Sequence, residues 1–370
     1  MAVPLMDIRG QYEALLPEIK QRVCDVIDSG RFILGPNVRA LEEEVAAAIG
    51  YGHAVAVGNG TDALELGLNA LGIGPGDEVV TTAYTFYATA EAIARTGATP
   101  VFADIDPRTL CLDPAAAEAA ITERTRAIMP VHIFGLPADL DAFRAIADRQ
   151  GVALIEDAAQ AFGATFEGYQ AGSYGDISTF SFFPTKNFPA MGDAGMAIAA
   201  SEEVAERLRM LRFHGSRDKK LFEYIGVNSR LDEMQAAILR RFLPEVAGWN
   251  EARRTVAERY RRLGLGDLVS LPVEVPGRTH IYHLYVIRSP QRDAVQRRLK
   301  DAGVASAVYY STPLHLQPVF SHLGYAEGSL PETEAAAREG LALPMFATLS
   351  EAQQHEVVDA VKAAAAPAAA

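Results

Sequence analysis

One lysine stands apart by its position. The chain contains six lysines, and Lys186 is the only one between residues 21 and 218. It ends the run TFSFFPTK (179–186). A lysine at the C-terminal end of an apolar strand, walled by Phe180, Phe182 and Phe183, faces a desolvated site. Burial lowers an ammonium pKa and yields a neutral amine nucleophile. Arginine cannot do this, because its guanidinium stays protonated and forms no imine. A solvated loop lysine is the plain alternative, so other groups must converge on the same place. Residues 152–156 read as an apolar strand that ends in Asp157. Ligands of open α/β sheets bind at the C-terminal ends of strands. A carboxylate there either holds a proton on a pyridine-type nitrogen, making the ring an electron sink, or caps the next helix.

The run VGNGTDA (57–63) is a third feature. A strand, a glycine turn and a helix make an anion cradle from backbone N–H groups and the helix dipole, or a helix cap without ligand. Gly58-x-Gly60-x-x-Ala63 also matches a dinucleotide fingerprint, which needs an acid at the C-terminal end of the next strand. Glu78 lies at about the right distance but begins that strand, at the wrong edge. A single phosphate is the expected ligand, with Thr61 supplying a hydroxyl and Asp62 a backbone N–H. The aromatics of Tyr84–Tyr87 also follow a strand and either stack on a flat ring or fill the core.

The elements that must hold these groups read as an alternation. Strands are expected at 53–57, 78–82, 99–105, 127–132, 152–156, 177–183 and 195–199, with helices such as 61–71 and 139–150 between them. That order implies a largely parallel sheet covered on both faces. Two helices, over 11–30 and 38–49, precede it. Past residue 247 the texture changes to a charged helix (251–262), a strand (283–287), a helix (293–302) and a strand (304–310). The chain therefore divides into a large domain, 1–246, and a smaller α+β domain, 247–370.

Composition bounds the function. The chain has 370 residues, a net charge of −13 and 49% apolar residues, an ordinary globular balance. The acidic surplus argues against nucleic acid as the main partner. Cys24 and Cys111 are the only cysteines and can build neither a disulfide framework nor a four-cysteine metal site, which fits a reducing cytoplasm. His280-x-x-His283 has no cysteine or carboxylate beside it and reads as a pair flanking a strand, with no metal expected. Asp7, Arg9 and Glu13 interrupt any export signal, and the longest mainly apolar stretch, 127–138, is too short to span a membrane. The terminal AAAAPAAA (363–370) reads as frayed.

Taken in order along the chain, these motifs resemble the DegT/DnrJ/EryC1/StrS sugar-nucleotide aminotransferases, which use pyridoxal phosphate on the aspartate-aminotransferase fold (fold type I). The resemblance is carried by FILGP (32–36), NGTDAL (59–64), PGDEVV, TFYAT (85–89), PVFADID and PVHIFG (130–135). It continues through EDAAQAFGA (156–164), GDISTFSFFPTKN (175–187), GDAGMA, NSRLDEMQAAIL (228–239) and YYSTPLHLQP (309–318). It implies a mostly parallel seven-stranded sheet and a role for each matching residue. Lys186 becomes the imine-forming lysine, Asp157 the partner of the pyridinium nitrogen and Gln160 that of the ring hydroxyl. Phe86 stacks on the ring. Gly60, Thr61, Asp62 (by its backbone) and Ser181 hold the phosphate, joined by Asn228 from a neighbouring subunit, so the active unit is a homodimer with shared sites. His214, Arg230, Tyr309, Tyr310 and His315 fall in segments that line the sugar-nucleotide pocket.

One branch of the family carries histidine at the lysine position and dehydrates instead; Lys186 disfavours it. Many relatives read KNLGA where this chain reads Lys186-Asn-Phe-Pro-Ala190. The resemblance implies ping-pong transfer of an amino group, with L-glutamate as donor, to a dTDP- or UDP-linked keto hexose. NGTDAL, AQA (159–161) and HGSRDKK (214–220) resemble the 3-amino branch, with a 4-keto acceptor as the alternative. A PLP-fold protein that has lost catalysis and a nicotinamide-dependent sugar oxidoreductase are the other classes weighed. Joint retention of Lys186, Asp157, Gln160 and Ser181 argues against the first, and the misplaced Glu78 against the second.

Overall fold

Seven five-residue strands build the centre of the protein. They are β1 (His53–Val57), β2 (Glu78–Thr82), β3 (Thr99–Ala103), β4 (Thr125–Met129), β5 (Ala153–Asp157), β6 (Ile177–Ser181) and β7 (Gly195–Ala199). The computed structural model describes residues 3–365. Of the AAAAPAAA run, 363–365 end the helix Glu351–Ala365, and 366–370 lie outside the described residues. The strands form one sheet in the order β1-β7-β6-β5-β4-β2-β3. Only β7 is reversed, antiparallel to β1 and β6; the other pairs are parallel. The C-terminal ends of six strands and the start of β7 therefore share one edge. Val55, Val80, Ile128, Leu154, Ile155 and Ile177 are fully buried. Burial on both faces is why these strands read as short apolar runs.

The alternation expected from the sequence is thus realised as an α/β fold, with shifts at strand ends. The run expected to continue to residue 183 leaves the sheet at Ser181, three residues before Pro184, which has no N–H to offer a ladder. The expected strand 304–310 is reduced to isolated bridges, Val3 with Val304 and Ala307 with Ala342. The two-stranded sheet of this region pairs β8 (Tyr285–Arg288) with β9 (Gly340–Leu343) instead. The run GLAL is too short and too uniform to declare itself by periodicity. A separate core gathers Tyr260, Tyr285, Ile287, Leu299, Leu341 and Val357 with Val3 from the N-terminus. The Val3 carbonyl accepts from Ala305 N (2.9 Å), and that of Leu5 from Met345 N (3.1 Å), so the start of the chain straps onto its last third. No helix among the described residues is long and apolar enough to cross a membrane. Among the described residues no group of three His, Cys, Asp or Glu is placed to hold a metal ion.

Candidate active site

The shared edge of the sheet opens into a cavity of about 710 Å³. Gly60, Thr61, Asp62, Phe86, Asp157, Gln160, Ser181, Lys186, Tyr309 and Tyr310 all line it. Those from the large sheet come from segments at or just after strand ends far apart in sequence, which its topology gathers at one edge, and the 309–310 loop joins them there.

At one end the helix Gly60–Ala70 begins. Its N-cap, Asn59, uses its side-chain oxygen to accept from Asp62 N at 2.9 Å. The Asp62 N–H assigned to an anion from the sequence is therefore already taken. The N–H groups of Gly60 and Thr61 have no acceptor among the described residues and are the free donors at this helix start. The Asp62 carboxylate accepts from Ser229 Oγ (2.6 Å), and Ser229 Oγ accepts from Gly58 N (2.9 Å), so the 228–230 segment is tied to the glycine turn. A Cβ on Gly60 would lie 2.6 Å from the Ser181 Cβ. The two backbones approach so closely that only glycine fits. Gly60→Ala should push the helix start away from Ser181 and weaken cofactor affinity at least about tenfold, a loss of one 1.4 kcal/mol step. Fluorescence titration of the cofactor-free protein measures it; unchanged affinity would discard the cradle.

Lys186 lies in the loop after β6, half-buried, its N–H donating to the Phe183 carbonyl at 2.8 Å. The aromatic wall expected around it is only partly there. Phe180 and Phe182 turn into the core, where Phe162 and Phe188 meet them, and only Phe183 lines the cavity. Phe188, part of the unusual Asn-Phe-Pro stretch, is 1% exposed and packs its tilted ring 4.7 Å from that of Phe162, so this departure fills the core. Burial pulls the Lys186 ammonium down to about 8, with the Asp157 charge opposing it. In cofactor-free protein, acylation of Lys186 should therefore reach half its limiting rate near pH 8, well below an ordinary lysine, as peptide mass mapping would record.

Asp157 ends β5, buried, and burial pushes its carboxyl up from the ordinary value. Three interactions oppose that rise: Thr89 Oγ1 donates to Oδ2 (2.8 Å), Ala159 N donates to Oδ1 (3.2 Å), and the Lys186 charge faces it. Thr89 Oγ1 lies 2.9 Å from Thr85 Oγ1, so two threonines four residues apart steady the carboxylate. The TFYAT motif contains both, although sequence alone gave them no role. Gln160 accepts from Phe134 N (2.6 Å) and donates to the Tyr310 hydroxyl (3.1 Å). Tyr84 Oη donates to the Tyr309 carbonyl at 2.7 Å and fixes the 309–310 loop against the sheet. Phe86 presents an open ring, 58% exposed, on the cavity wall.

Four of the expected residues are not in this cavity. His214 and Asn228 are exposed and Arg230 is half-buried, all outside the lining. His315 is 1% exposed and bonded through Nε2 to Glu334 Oε1 at 3.1 Å, a fastening within the fold instead of a pocket wall. Glu78, at the start of β2, pairs with Arg124 at the opposite edge, as a dinucleotide site would forbid.

A sequence model described as the DegT/DnrJ/EryC1/StrS aminotransferase family matches residues 14–362. The chain belongs to this family. It is 54% identical to a protein of Geobacillus stearothermophilus named "Pleiotropic regulatory protein", over 98% of each chain. It is 46% identical to UDP-N-acetyl-3-dehydro-alpha-D-glucosamine 3-aminotransferase of Acidithiobacillus ferrooxidans, over 98% of this chain and 97% of the other. It superposes on the crystal structure of S. venezuelae DesV, in complex with a ketimine intermediate, with a TM-score of 0.96 and 44% identity over 99% of both chains. As a member of the family the chain is a pyridoxal-phosphate-dependent sugar aminotransferase, and solved members carry the cofactor in its pyridoxal and pyridoxamine forms. The cavity fits that cofactor: unpartnered N–H groups at a helix start suit a phosphate, and a buried carboxylate and a half-buried amine complete the donor set.

Proposed function

We propose that this aminotransferase moves an amino group from L-glutamate to a dTDP- or UDP-linked 3-keto hexose, and that Lys186 and Asp157 carry the chemistry. The observation that carries the reading is the convergence of a lysine pulled down to about 8 and a buried aspartate on one cavity with a free helix N-terminus. When bound, the cofactor supplies an aldehyde carbon and an electron-accepting ring. The Gly60 and Thr61 N–H groups, with the hydroxyls of Thr61 and Ser181, would hold its phosphate. Asp157, steadied by Thr89 and the Ala159 N–H, would keep a proton on the ring nitrogen. Phe86 would offer its open ring to that of the cofactor, and Gln160 would offer a hydrogen bond to its hydroxyl. Lys186 Nζ, neutral near its lowered pKa, would take a proton from the donor's α-carbon and hold it for return from the same face.

The position of the keto group rests on the name of the A. ferrooxidans relative and on the segments 59–64, 159–161 and 214–220. Incubation with L-glutamate and a panel of 3-keto and 4-keto nucleotide sugars tests it, with products identified by mass and NMR. An amine at carbon 3 is expected; exclusive amination at carbon 4 overturns the regiochemistry. The name of the G. stearothermophilus relative favours a second, regulatory reading. A yellow protein that never exchanges an amino group with glutamate would support it.

The unit is a homodimer in this reading, working in the cytoplasm. Phe32, Ile33, Leu221, Phe222 and Ile225 are apolar side chains 43–100% exposed, which a second copy would cover while Asn228 would reach its neighbour's phosphate. Light scattering should return twice the chain mass; a monomer at micromolar concentration refutes it.

A further inference from the structure

His283 borders the same cavity as Lys186 and is 5% exposed. Among the described residues its ring makes no hydrogen bond, and Nδ1 is enclosed without a partner. Buried polar atoms are almost always paired, so an orphan beside a reacting group calls for a reason. His280, three residues earlier, shows the contrast. Its Nδ1 accepts from Tyr282 N at 3.0 Å and its ring stacks on that of Tyr282, so the fold satisfies it internally.

The loop that carries His283 is gripped from three sides. Asn187, next to Lys186, donates from Nδ2 to the Ile281 carbonyl (3.0 Å). Arg253 Nη1 donates to the Tyr282 carbonyl (3.2 Å). Ile281 N donates to the Gly135 carbonyl (3.0 Å), and Leu284 N to that of Phe134 (3.4 Å). The grip forces strained backbone: Tyr282 has φ +47° and Phe134 φ +55°, both left-handed without being glycine. A Cβ on Gly135 would lie 3.0 Å from His283 N and 3.2 Å from the Gln160 carbonyl, so the histidine backbone is seated against the segment that carries Gln160.

We propose that His283 is a positioning residue for the Lys186 amine, a neutral imidazole that accepts a hydrogen bond from Lys186 Nζ while the lysine carries a proton. The inference rests on the reading of Lys186 given above and deepens it. The charged groups facing this spot are Lys186, Asp157 and Arg253, with Asp7 across a small cavity that Lys186 and Arg253 also border. Burial, with Lys186 and Arg253 adding to it, holds the His283 imidazolium well below its ordinary value, so the ring keeps a lone pair to offer. No bond is made or broken at His283 and the proton stays on Nζ. The acceptor favours the ammonium and fixes its direction between the two atoms it serves.

The test compares His283→Phe, which removes the acceptor, with His283→Gln, which retains one, both as full-length chains. The midpoint of Lys186 acylation against pH is read by mass mapping on cofactor-free protein. The phenylalanine variant should shift it down by about half to one pH unit, because an acceptor bonded to the charged form raises an amine's pKa. The glutamine variant should stay near the wild-type value. In the loaded enzyme, single turnover with L-glutamate should slow about tenfold in His283→Phe and recover in His283→Gln. Should the phenylalanine variant misfold, His283→Ala is read with and without added imidazole, which should restore the midpoint. Midpoints unmoved in every variant that retains the native circular dichroism overturn the proposal. The wild-type chromophore separates the two levels: if it survives in Lys186→Ala the functional reading itself fails, whereas an unmoved midpoint beside a Lys186-dependent chromophore removes His283 alone.

Discussion

Lys186→Ala is expected to abolish amino transfer, with turnover reduced ~10³–10⁴-fold or more, and to erase the visible band of the bound cofactor. The factor follows from removing the one lysine among the described residues lining the cavity, the group that would both form the covalent link and carry the proton. Borohydride reduction of the wild-type enzyme should add the cofactor's mass to the peptide containing residue 186 and leave the variant unlabelled. Stability should move the other way. In the folded chain the Lys186 pKa lies near 8, against 10.5 for an ordinary lysine. Between those values the unfolded chain binds the extra proton, so the native state gains on it as pH rises through the window and is at its full disadvantage below about pH 8. Removing the amine should therefore leave thermal stability at pH 7 unchanged or raised, which separates lost chemistry from lost folding. Retained turnover in Lys186→Ala would end the assignment.

Asp157→Asn should be the next most damaging change, lowering kcat/KM by ~10²–10³-fold while the chromophore still forms. Asparagine keeps the shape and an oxygen that can accept from Thr89 Oγ1, now 2.8 Å from Asp157 Oδ2. It loses only the charge, and with it the means of keeping the ring nitrogen protonated. Because burial raises the Asp157 carboxyl, wild-type activity should fall on acidification at a higher pH than a free aspartate would dictate, and that acid limb should disappear in the variant. Steady-state kinetics across pH with both proteins decide it. Equal kcat/KM at neutral pH would remove Asp157 from the mechanism.

Much of this site was legible before the fold was seen. Lys186, Asp157 and the glycine turn all stand where an apolar run stops and a helix or loop begins, and a parallel sheet collects such points at one edge. What escaped was every property that depends on where a side chain turns. Phe180 and Phe182 sit in the run that leads to the lysine, yet they face the core, because a strand alternates its sides and the loop beyond Ser181 changes direction. The Asp62 N–H looked available until Asn59 folded over it. His315 shares a segment with Tyr309 and Tyr310, but Glu334, from the helix Pro331–Glu339, draws it out of reach. Thr89 and His283 carried no signal of their own, since one looks like an ordinary helix residue and the other like a strand flank.

The order of residue types along the chain by itself determined the alternating architecture, the family, the amine, the carboxylate and the phosphate turn, because burial on both faces of a sheet and a helix start leave local, readable patterns. Which buried groups find a partner was decided only in three dimensions. Hydrogen bonds such as Thr89 to Asp157 and Asn187 to Ile281 join residues 68 and 94 positions apart, and that pairing exists only once the sheet has brought its strand ends to a common edge.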